Sequence, residues 1–147
     1  MFSGEFSYKM DSKGRVSVPA PFRTSSDGRY YITYGPDGCL FVYDEAGFKE
    51  RAEALGKLDD FDSKVRQIKR VFFSGPGLQE CDSHGRIKIP GILAEYAEIE
   101  KDVVMNGMSS HFEIWGKERW NEQRQQDIAN YFQNYKEMTS KTVGSEQ

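Results

Sequence analysis

Two short stretches of the chain carry a carboxylate, a glycine and a guanidinium in the same order. Residues 11–19 read DSKGRVSVP, and residues 82–90 read DSHGRIKIP. An arginine side chain can bind a phosphate, or the edge of a guanine, through two parallel hydrogen bonds. A lysine or a histidine two positions before the arginine can bring a second cationic group to the same anion. The repeated pattern therefore predicts two turns that bind an anion, and a β-ribbon or its turn is able to enter the major groove of DNA.

The candidate contact residues lie at the tips of these two turns. They are Lys13, Gly14, Arg15, His84, Gly85 and Arg86. The hydroxyl groups of Ser12 and Ser83, and the backbone N–H groups of the two glycines, are further candidate phosphate donors. The alternative interpretation is structural: aspartate and glycine build the turn, and the arginine only pairs with the aspartate beside it. The presence of two copies favours a functional role.

Short strands are predicted on both sides of each turn. The segment EFSYKM alternates Phe6, Tyr8 and Met10 with polar residues, as a half-buried strand does. An aspartate can accept hydrogen bonds from the following backbone, and a glycine adopts positive φ, so DSKG predicts a hairpin turn. Val16 and Val18 then point inward, which leaves Arg15 on the polar face at the start of the returning strand.

The similarity between the two halves continues beyond the turns. Residues 31–48 align with residues 103–120, so a second predicted strand, turn and strand recur in the same order in both halves. Two matches in one order indicate an internal duplication. One copy alone leaves open strand edges, which the other copy can cover. We therefore predict a mainly antiparallel β protein with flanking helices, of the α+β class, in which the two halves interleave.

Two longer helices are predicted outside the sheet. Residues 62–73 have apolar residues at helical spacing after a cap at Asp62 or Ser63. A second helix begins at Lys117, and its end, TSKTVGSEQ, is expected to be frayed. The predicted organisation is a first repeat at 1–61, a connecting helix at 62–74, a second repeat at 75–122, and a C-terminal helix with a frayed tail at 123–147.

Composition limits the possible classes of protein. The chain has 147 residues, 37% of them hydrophobic, and a net charge of −3. This net negative charge argues against a nucleic-acid-binding protein, because DNA-binding domains usually carry an excess of basic residues. The charges are segregated, however, and a local field can still attract an anionic partner. No apolar run approaches a membrane span and the N-terminus lacks the features of a signal peptide, so a cytosolic protein is expected.

Other kinds of chemistry are disfavoured. The stretch CDSHG at 81–85 offers a thiol, an acid and an imidazole, but neighbours along a strand alternate faces and the first copy lacks the thiol and the imidazole. Cys39, Cys81, His84 and His111 lack the spacing of metal ligands. We predict no enzyme activity, no cofactor and no small-molecule substrate. The basic run from Lys64 to Arg70 is interpreted as the solvated face of a helix.

The quoted turns, together with GPDGCLFVY, FFSG and HFEIWGKERW, resemble the MraZ family of bacterial transcriptional regulators over residues 1–122. The resemblance implies two AbrB-like swapped-hairpin motifs forming a small barrel, and assembly of several copies into a ring. It also implies binding to double-stranded DNA at direct repeats upstream of a division and cell wall operon, usually as a repressor. Arg15, Arg86 and Lys13 would be the DNA contacts. His84 departs from the cationic pattern, because an imidazole is largely uncharged at pH 7.

Two hypotheses about function follow. The first is a sequence-specific DNA-binding regulator located in the cytoplasm and nucleoid, without a membrane partner. The second is a protein-binding module of the same fold, an antitoxin or a scaffold, in which the turns are structural and the C-terminal helix binds the partner. Loss of DNA binding without loss of stability on changing Arg15 would separate the two.

Overall fold

The computed structural model describes residues 1–23, 28–75 and 77–145, with side chains through Ser140. Within these residues the strands are β1 Glu5–Lys9, β2 Arg15–Ser17, β3 Arg29–Tyr34, β4 Leu40–Tyr43, β5 Leu78–Glu80, β6 Arg86–Lys88, β7 Asp102–Gly107 and β8 Phe112–Gly116. The helices are α1 Ala20–Arg23, α2 Glu45–Gly56, α3 Ser63–Ser74, α4 Gly91–Tyr96 and α5 Lys117–Ser145, and a short 3₁₀ helix covers Pro36–Gly38.

Every strand of the first repeat pairs with a strand of the second. β1 pairs with β7, β2 with β6, β3 with β5 and β4 with β8, all antiparallel. The predicted hairpins β3–β4 and β7–β8 are present as well. The interleaving predicted from the duplication is therefore confirmed, and so is the α+β class. The arrangement has an approximate two-fold relation between the repeats.

The sheet is open rather than closed into the expected small barrel. Six strands follow the order β1-β7-β8-β4-β3-β5, and β2 and β6 form a separate two-stranded ribbon. In the described part of the chain no ladder joins the outer strands β1 and β5. β2 and β6 pair with each other across the two-fold relation and extend neither edge of the larger sheet.

The predicted hairpin between β1 and β2 needs the same correction. The DSKG turn forms, but the strands on its two sides lie in different sheets. A local turn signal specifies the reversal of the chain and not the partner of each strand. The partner is decided by burial: the ribbon exchanges its strands between the repeats because Val16 and Ile87 then face one shared core.

Equivalent positions of the two repeats fill that core. The buried pairs are Val16 with Ile87, Val18 with Ile89, Phe22 with Leu93, Leu40 with Phe112 and Val42 with Ile114. Burying one such side chain contributes about 1.5–3 kcal/mol. The inward orientation predicted for Val16 and Val18 is confirmed. The predicted half-buried row is confirmed as well, with Phe6 and Tyr8 in β1 and Met10 directly after it.

The flanking helices follow their capping signals. The predicted helix α3 begins after Asp62, whose side chain accepts a hydrogen bond from the Lys64 N–H. Helix α2 is not predicted from the sequence, because EAGFKERAEALG lacks a clear apolar stripe. In the structure none of its residues is buried. Asp44 caps α2 by accepting from the Gly47 N–H at 2.8 Å. Both helices contact β3.

The C-terminal part of the chain forms its own unit. The chain divides into Met1–Lys117 and Glu118–Gln147. Helix α5 continues to Ser145, where the sequence predicted fraying from Thr139, and residues 146–147 lie outside the described part of the chain. Among the described helices, none combines the length and apolar character needed to cross a bilayer.

Candidate nucleic-acid interface

The first turn is built around Asp11. Its Oδ1 atom accepts hydrogen bonds from the backbone N–H groups of Lys13 (2.9 Å) and Arg15 (2.8 Å). Its carbonyl oxygen accepts from the Gly14 N–H at 3.0 Å, and its own N–H donates to the Arg15 carbonyl at 2.8 Å. Gly14 has a φ of +78°, which costs a residue with a Cβ about 1–2 kcal/mol. The turn therefore depends on both the aspartate and the glycine.

The second turn repeats this network. Asp82 Oδ1 accepts from the N–H groups of His84 (2.9 Å) and Arg86 (3.0 Å). The Asp82 carbonyl accepts from the Gly85 N–H at 3.0 Å, and the Asp82 N–H donates to the Arg86 carbonyl at 2.9 Å. Gly85 has a φ of +74°. Both turns thus hold their arginine at the first position of the following strand.

Reciprocal hydrogen bonds join the two turns. The carbonyl of Gly14 accepts from the Ile89 N–H at 2.8 Å, and the carbonyl of Gly85 accepts from the Val18 N–H at 2.9 Å. These bonds continue the β2–β6 ribbon into each turn, so each turn is anchored by the strand of the opposite repeat. The ribbon consequently fixes the position of one turn relative to the other.

One face of the ribbon carries its polar side chains. The register pairs Arg15 with Lys88 and Ser17 with Arg86, while Val16 pairs with Ile87. Directly paired residues and residues two apart share one face of a sheet. Because the valine–isoleucine pair is buried in the core, the two arginines and Lys88 lie together on the outer face. The sequence did not single out Lys88; only the register reveals it.

Each arginine pairs with the aspartate of its own turn. Arg15 Nε lies 2.7 Å from Asp11 Oδ2, and Arg86 Nε lies 2.8 Å from Asp82 Oδ2. The ion pair of the structural interpretation is therefore present. The Arg15 and Arg86 side chains nevertheless remain 34% and 30% exposed. A guanidinium has five N–H donors in a planar fork, so one bond through Nε leaves donors for a further acceptor.

Both aspartates are held in the ionised form. Hydrogen bonds from the Arg86 and His84 backbone and from the Arg86 side chain lower the pKa of Asp82 to about 2. The same contacts, led by the Arg15 backbone N–H, lower the pKa of Asp11. A carboxylate that accepts several N–H groups is stabilised in its charged state. The aspartates therefore keep the turns closed and the arginines oriented near neutral pH.

Two of the predicted phosphate donors are already occupied. The N–H groups of Gly14 and Gly85 donate to the aspartate carbonyls within their own turns. The Ser83 hydroxyl lies 3.3 Å from His84 Nδ1, and the exposed side chains of Ser12, Lys13 and His84 stand at the turn surfaces. The cationic side chains, and not the glycine backbone, form the accessible donors.

The remaining candidate chemistries receive no support from the geometry. In the described residues, no three His, Cys, Asp or Glu side chains are arranged to hold a metal ion. Cys39 is buried against Glu113, and burial raises its thiol pKa above the usual range. On α3, Lys69 contacts the Leu58 carbonyl and the Asp60 carboxylate, as a helix face engaged in local contacts does.

A sequence profile described as "MraZ protein, putative antitoxin-like" matches this chain twice, at residues 1–71 and 72–142. A relative from Finegoldia magna, named Transcriptional regulator MraZ, is 44% identical over 89% of this chain and 92% of its own length. Proteins of the same name from Desulforamulus reducens and Moorella thermoacetica are 42% and 43% identical, over 90% and 83% of this chain and 94% and 85% of their own lengths.

The fold and the paired turns define a duplicated, strand-interleaved protein with one cationic face. The two profile matches cover nearly the whole chain, and the first contains strands β1 to β4 while the second contains β5 to β8. The chain belongs to the MraZ family, whose curated members named above are called transcriptional regulators.

Proposed function

We propose that this protein is a sequence-specific DNA-binding transcriptional regulator. In this proposal it represses its own division and cell wall operon by binding direct repeats near the promoter, in the cytoplasm and nucleoid. The observation that carries the proposal is the outer face of the β2–β6 ribbon, where Arg15, Arg86 and Lys88 lie together. The names of the curated relatives support the same class of function.

The proposed contact uses the rigidity of the two turns. Arg15 and Arg86 are oriented by ionised aspartates, so little conformational entropy is lost when a guanidinium binds a phosphate or a guanine edge. Lys13 and Lys88 add cationic contacts beside Arg15. Gly14 and Gly85 contribute indirectly, because their positive φ allows the turn shape that holds the arginines in place.

Assembly into a ring would resolve the unfavourable net charge of −3. Several copies would present their cationic faces together, and the acidic segments would lie elsewhere. Each copy would bind one DNA repeat weakly, and linkage would raise the combined affinity. Light scattering after size exclusion would measure the number of subunits.

The test is a binding titration with a duplex taken from upstream of the protein's own gene. Fluorescence anisotropy would compare the wild type with Arg15→Gln and Arg86→Gln at 50 and 200 mM salt. We expect strong weakening with salt in the wild type, because phosphate contacts release counterions. Each substitution should weaken binding and reduce the salt dependence. Lys49→Gln on α2, which removes an exposed charge from an element packed on β3 and β4, is the matched control.

Thermal unfolding monitored by circular dichroism accompanies each titration. Unchanged binding in both arginine variants, at unchanged stability, would overturn the proposed contact. Binding that ignores both salt and sequence would contradict recognition of the duplex by this face.

A second candidate function is binding to another protein. The observation that favours it is a row of exposed apolar side chains along α5, formed by Ile128, Tyr131, Phe132, Tyr135 and Met138. On this alternative, substitutions in the row would abolish regulation in cells, while Arg15→Gln would leave it intact. The opposite result supports DNA binding through the ribbon.

A further inference from the structure

The two turns share one backbone network but differ in charge. Around the first turn, Lys13 stands at the tip and Lys88 lies opposite Arg15 in the register. The equivalent positions of the second turn hold His84 and Ser17. Around neutral pH a histidine contributes much less positive charge than a lysine. Judged by these equivalent positions alone, the second turn would bind phosphate with Arg86 and little else.

The last residue of α1 supplies a cation at this place. The side chain of Arg23 lies so close over Gly85 that a Cβ added to the glycine would overlap its Nη1 atom and lie 2.9 Å from Cζ and 3.2 Å from Cδ. The guanidinium and part of its stem therefore cover the tip of the second turn. Arg23 itself is exposed.

The Arg23 charge also acts on the residue that precedes the turn. The positive charge of Arg23 opposes the rise in the pKa of Cys81 that burial causes. Cys81 directly precedes Asp82, which builds the turn. The guanidinium thus lies near both the residue that precedes the turn and the glycine at its tip.

The second repeat has an uncharged residue at the position equivalent to Arg23. At the offset of the two turns this residue is Ala94, on α4. A Cβ added to Gly14 would have as its nearest atoms the Ile89 carbonyl oxygen at 3.4 Å and Lys88 Cγ at 4.0 Å. The first turn is therefore flanked by a lysine of the opposite repeat, and the second turn by an arginine of the opposite repeat.

We propose that Arg23 is a phosphate-binding residue of the second turn, in the role that Lys13 and Lys88 have at the first turn. This inference rests on the proposed DNA binding and assigns a contact to a residue outside the duplicated turn sequence. With Arg23, both turns present two or more permanent cations: Lys13, Arg15 and Lys88 at the first, and Arg86 and Arg23 at the second. The duplex would then be held at both turns of the ribbon.

The experiment measures DNA affinity against salt for variants at one position. Arg23→Met keeps an apolar stem over Gly85 and removes the charge, while Arg23→Lys keeps the charge. The same upstream duplex is titrated at several salt concentrations between 50 and 200 mM. We expect Arg23→Met to weaken binding and to lower the slope of log K against log salt by about 0.9 for each Arg23 that contacts a phosphate. Arg23→Lys should keep the wild-type slope.

A compensating variant strengthens the test. Adding His84→Lys to Arg23→Met should restore the slope, because a lysine then stands where the first turn has one. Lys49→Gln again serves as the control for loss of a remote charge. Circular dichroism verifies that each variant is folded, and the lysine replacements remain informative if Arg23→Met is unstable.

The outcomes separate this inference from the proposed function. Salt-dependent binding by the wild type with an unchanged slope in Arg23→Met would overturn the role of Arg23 and leave DNA binding intact. A packing role alone would lower stability without changing the slope, and would also overturn it. If the wild type does not bind the duplex at all, the proposed function itself fails.

Discussion

The Nη1 atom of Arg86 lies 3.9 Å from Oδ2 of Asp11, although the two residues belong to different repeats. The same Oδ2 atom pairs with the Nε of Arg15 at 2.7 Å. One carboxylate thus contacts the guanidinium groups of both turns, on the face that the β2–β6 ribbon exposes. Exposed ion pairs of this kind contribute little to stability, because water screens them. Their main consequence is to bring the two arginines together.

Replacing Gly85 by alanine should destabilise the protein by about 1–2 kcal/mol, because the residue has positive φ. The new Cβ would also displace the Arg23 side chain that covers this position. Urea unfolding monitored by circular dichroism would measure the change. Gly91→Ala is the matched control, since nothing lies within 4 Å of a Cβ there and alanine favours a helix. Equal effects at both positions would contradict the strain assigned to the turn.

Stability should fall as the pH is lowered from about 4 towards 2. The folded-state pKa of Asp82 is about 2, below its ordinary value of 3.8, and the pKa of Asp11 is lowered in the same direction. A carboxyl group with a depressed pKa stabilises the folded state above its unfolded pKa, and this contribution is lost as the pH falls through the folded pKa. Urea unfolding of the wild type and of Asp82→Asn, between pH 5 and pH 2, would test this.

The asparagine variant should start less stable at pH 5 and lose less on acidification. Parallel pH profiles for the two proteins would show that Asp82 is not responsible for the acid sensitivity.

Phe22 should be among the most costly side chains to remove. It is fully buried, and its ring centroid lies 4.8 Å from that of Phe112 and 5.4 Å from that of Phe2. Phe22→Ala should lower the free energy of unfolding by about 3–5 kcal/mol. Phe132→Ala, at a residue 81% exposed on α5, should change it by less than about 0.5 kcal/mol. A small effect at Phe22 in denaturant titrations would argue against the shared core.

The two cysteines should differ in reactivity towards a thiol reagent. Cys39 is buried, its Sγ lies 3.6 Å from Glu113 Oε2, and burial and the nearby carboxylate raise its pKa. Cys81 is partly exposed, and Arg23 opposes the rise in its pKa. Because the thiolate is the reactive form, the Cys39→Ser protein should react faster with Ellman's reagent than the Cys81→Ser protein. Comparable native rates would contradict the burial of Cys39.

Local signals in the sequence predicted the turns well. The Asp–Gly pattern determines the hydrogen bonds of residues 11–15, because those bonds involve only neighbouring atoms. The alternation of Val16 and Val18 gave the buried face of the ribbon for the same reason. The duplication predicted that the two halves interleave.

The features that the sequence did not predict depend mainly on contacts between segments that are distant in the chain. The position of Lys88 opposite Arg15 depends on the register between β2 and β6, which no local pattern specifies. The use of the Gly14 N–H inside its own turn follows from the closed geometry of the turn. Helix α2 was not predicted because its sequence is only weakly amphipathic, and none of its side chains is fully buried.

The exchange of strands between the repeats has a thermodynamic consequence. Since each strand of residues 1–61 finds a ladder partner beyond residue 75, neither half has a complete set of hydrogen bonds by itself. Because one chain carries both halves, the strands pair within the molecule and no encounter between two chains is needed. The folding of this unit is therefore independent of protein concentration. The halves are expected to melt in a single transition, and separately expressed halves would regain their structure only by complementing each other.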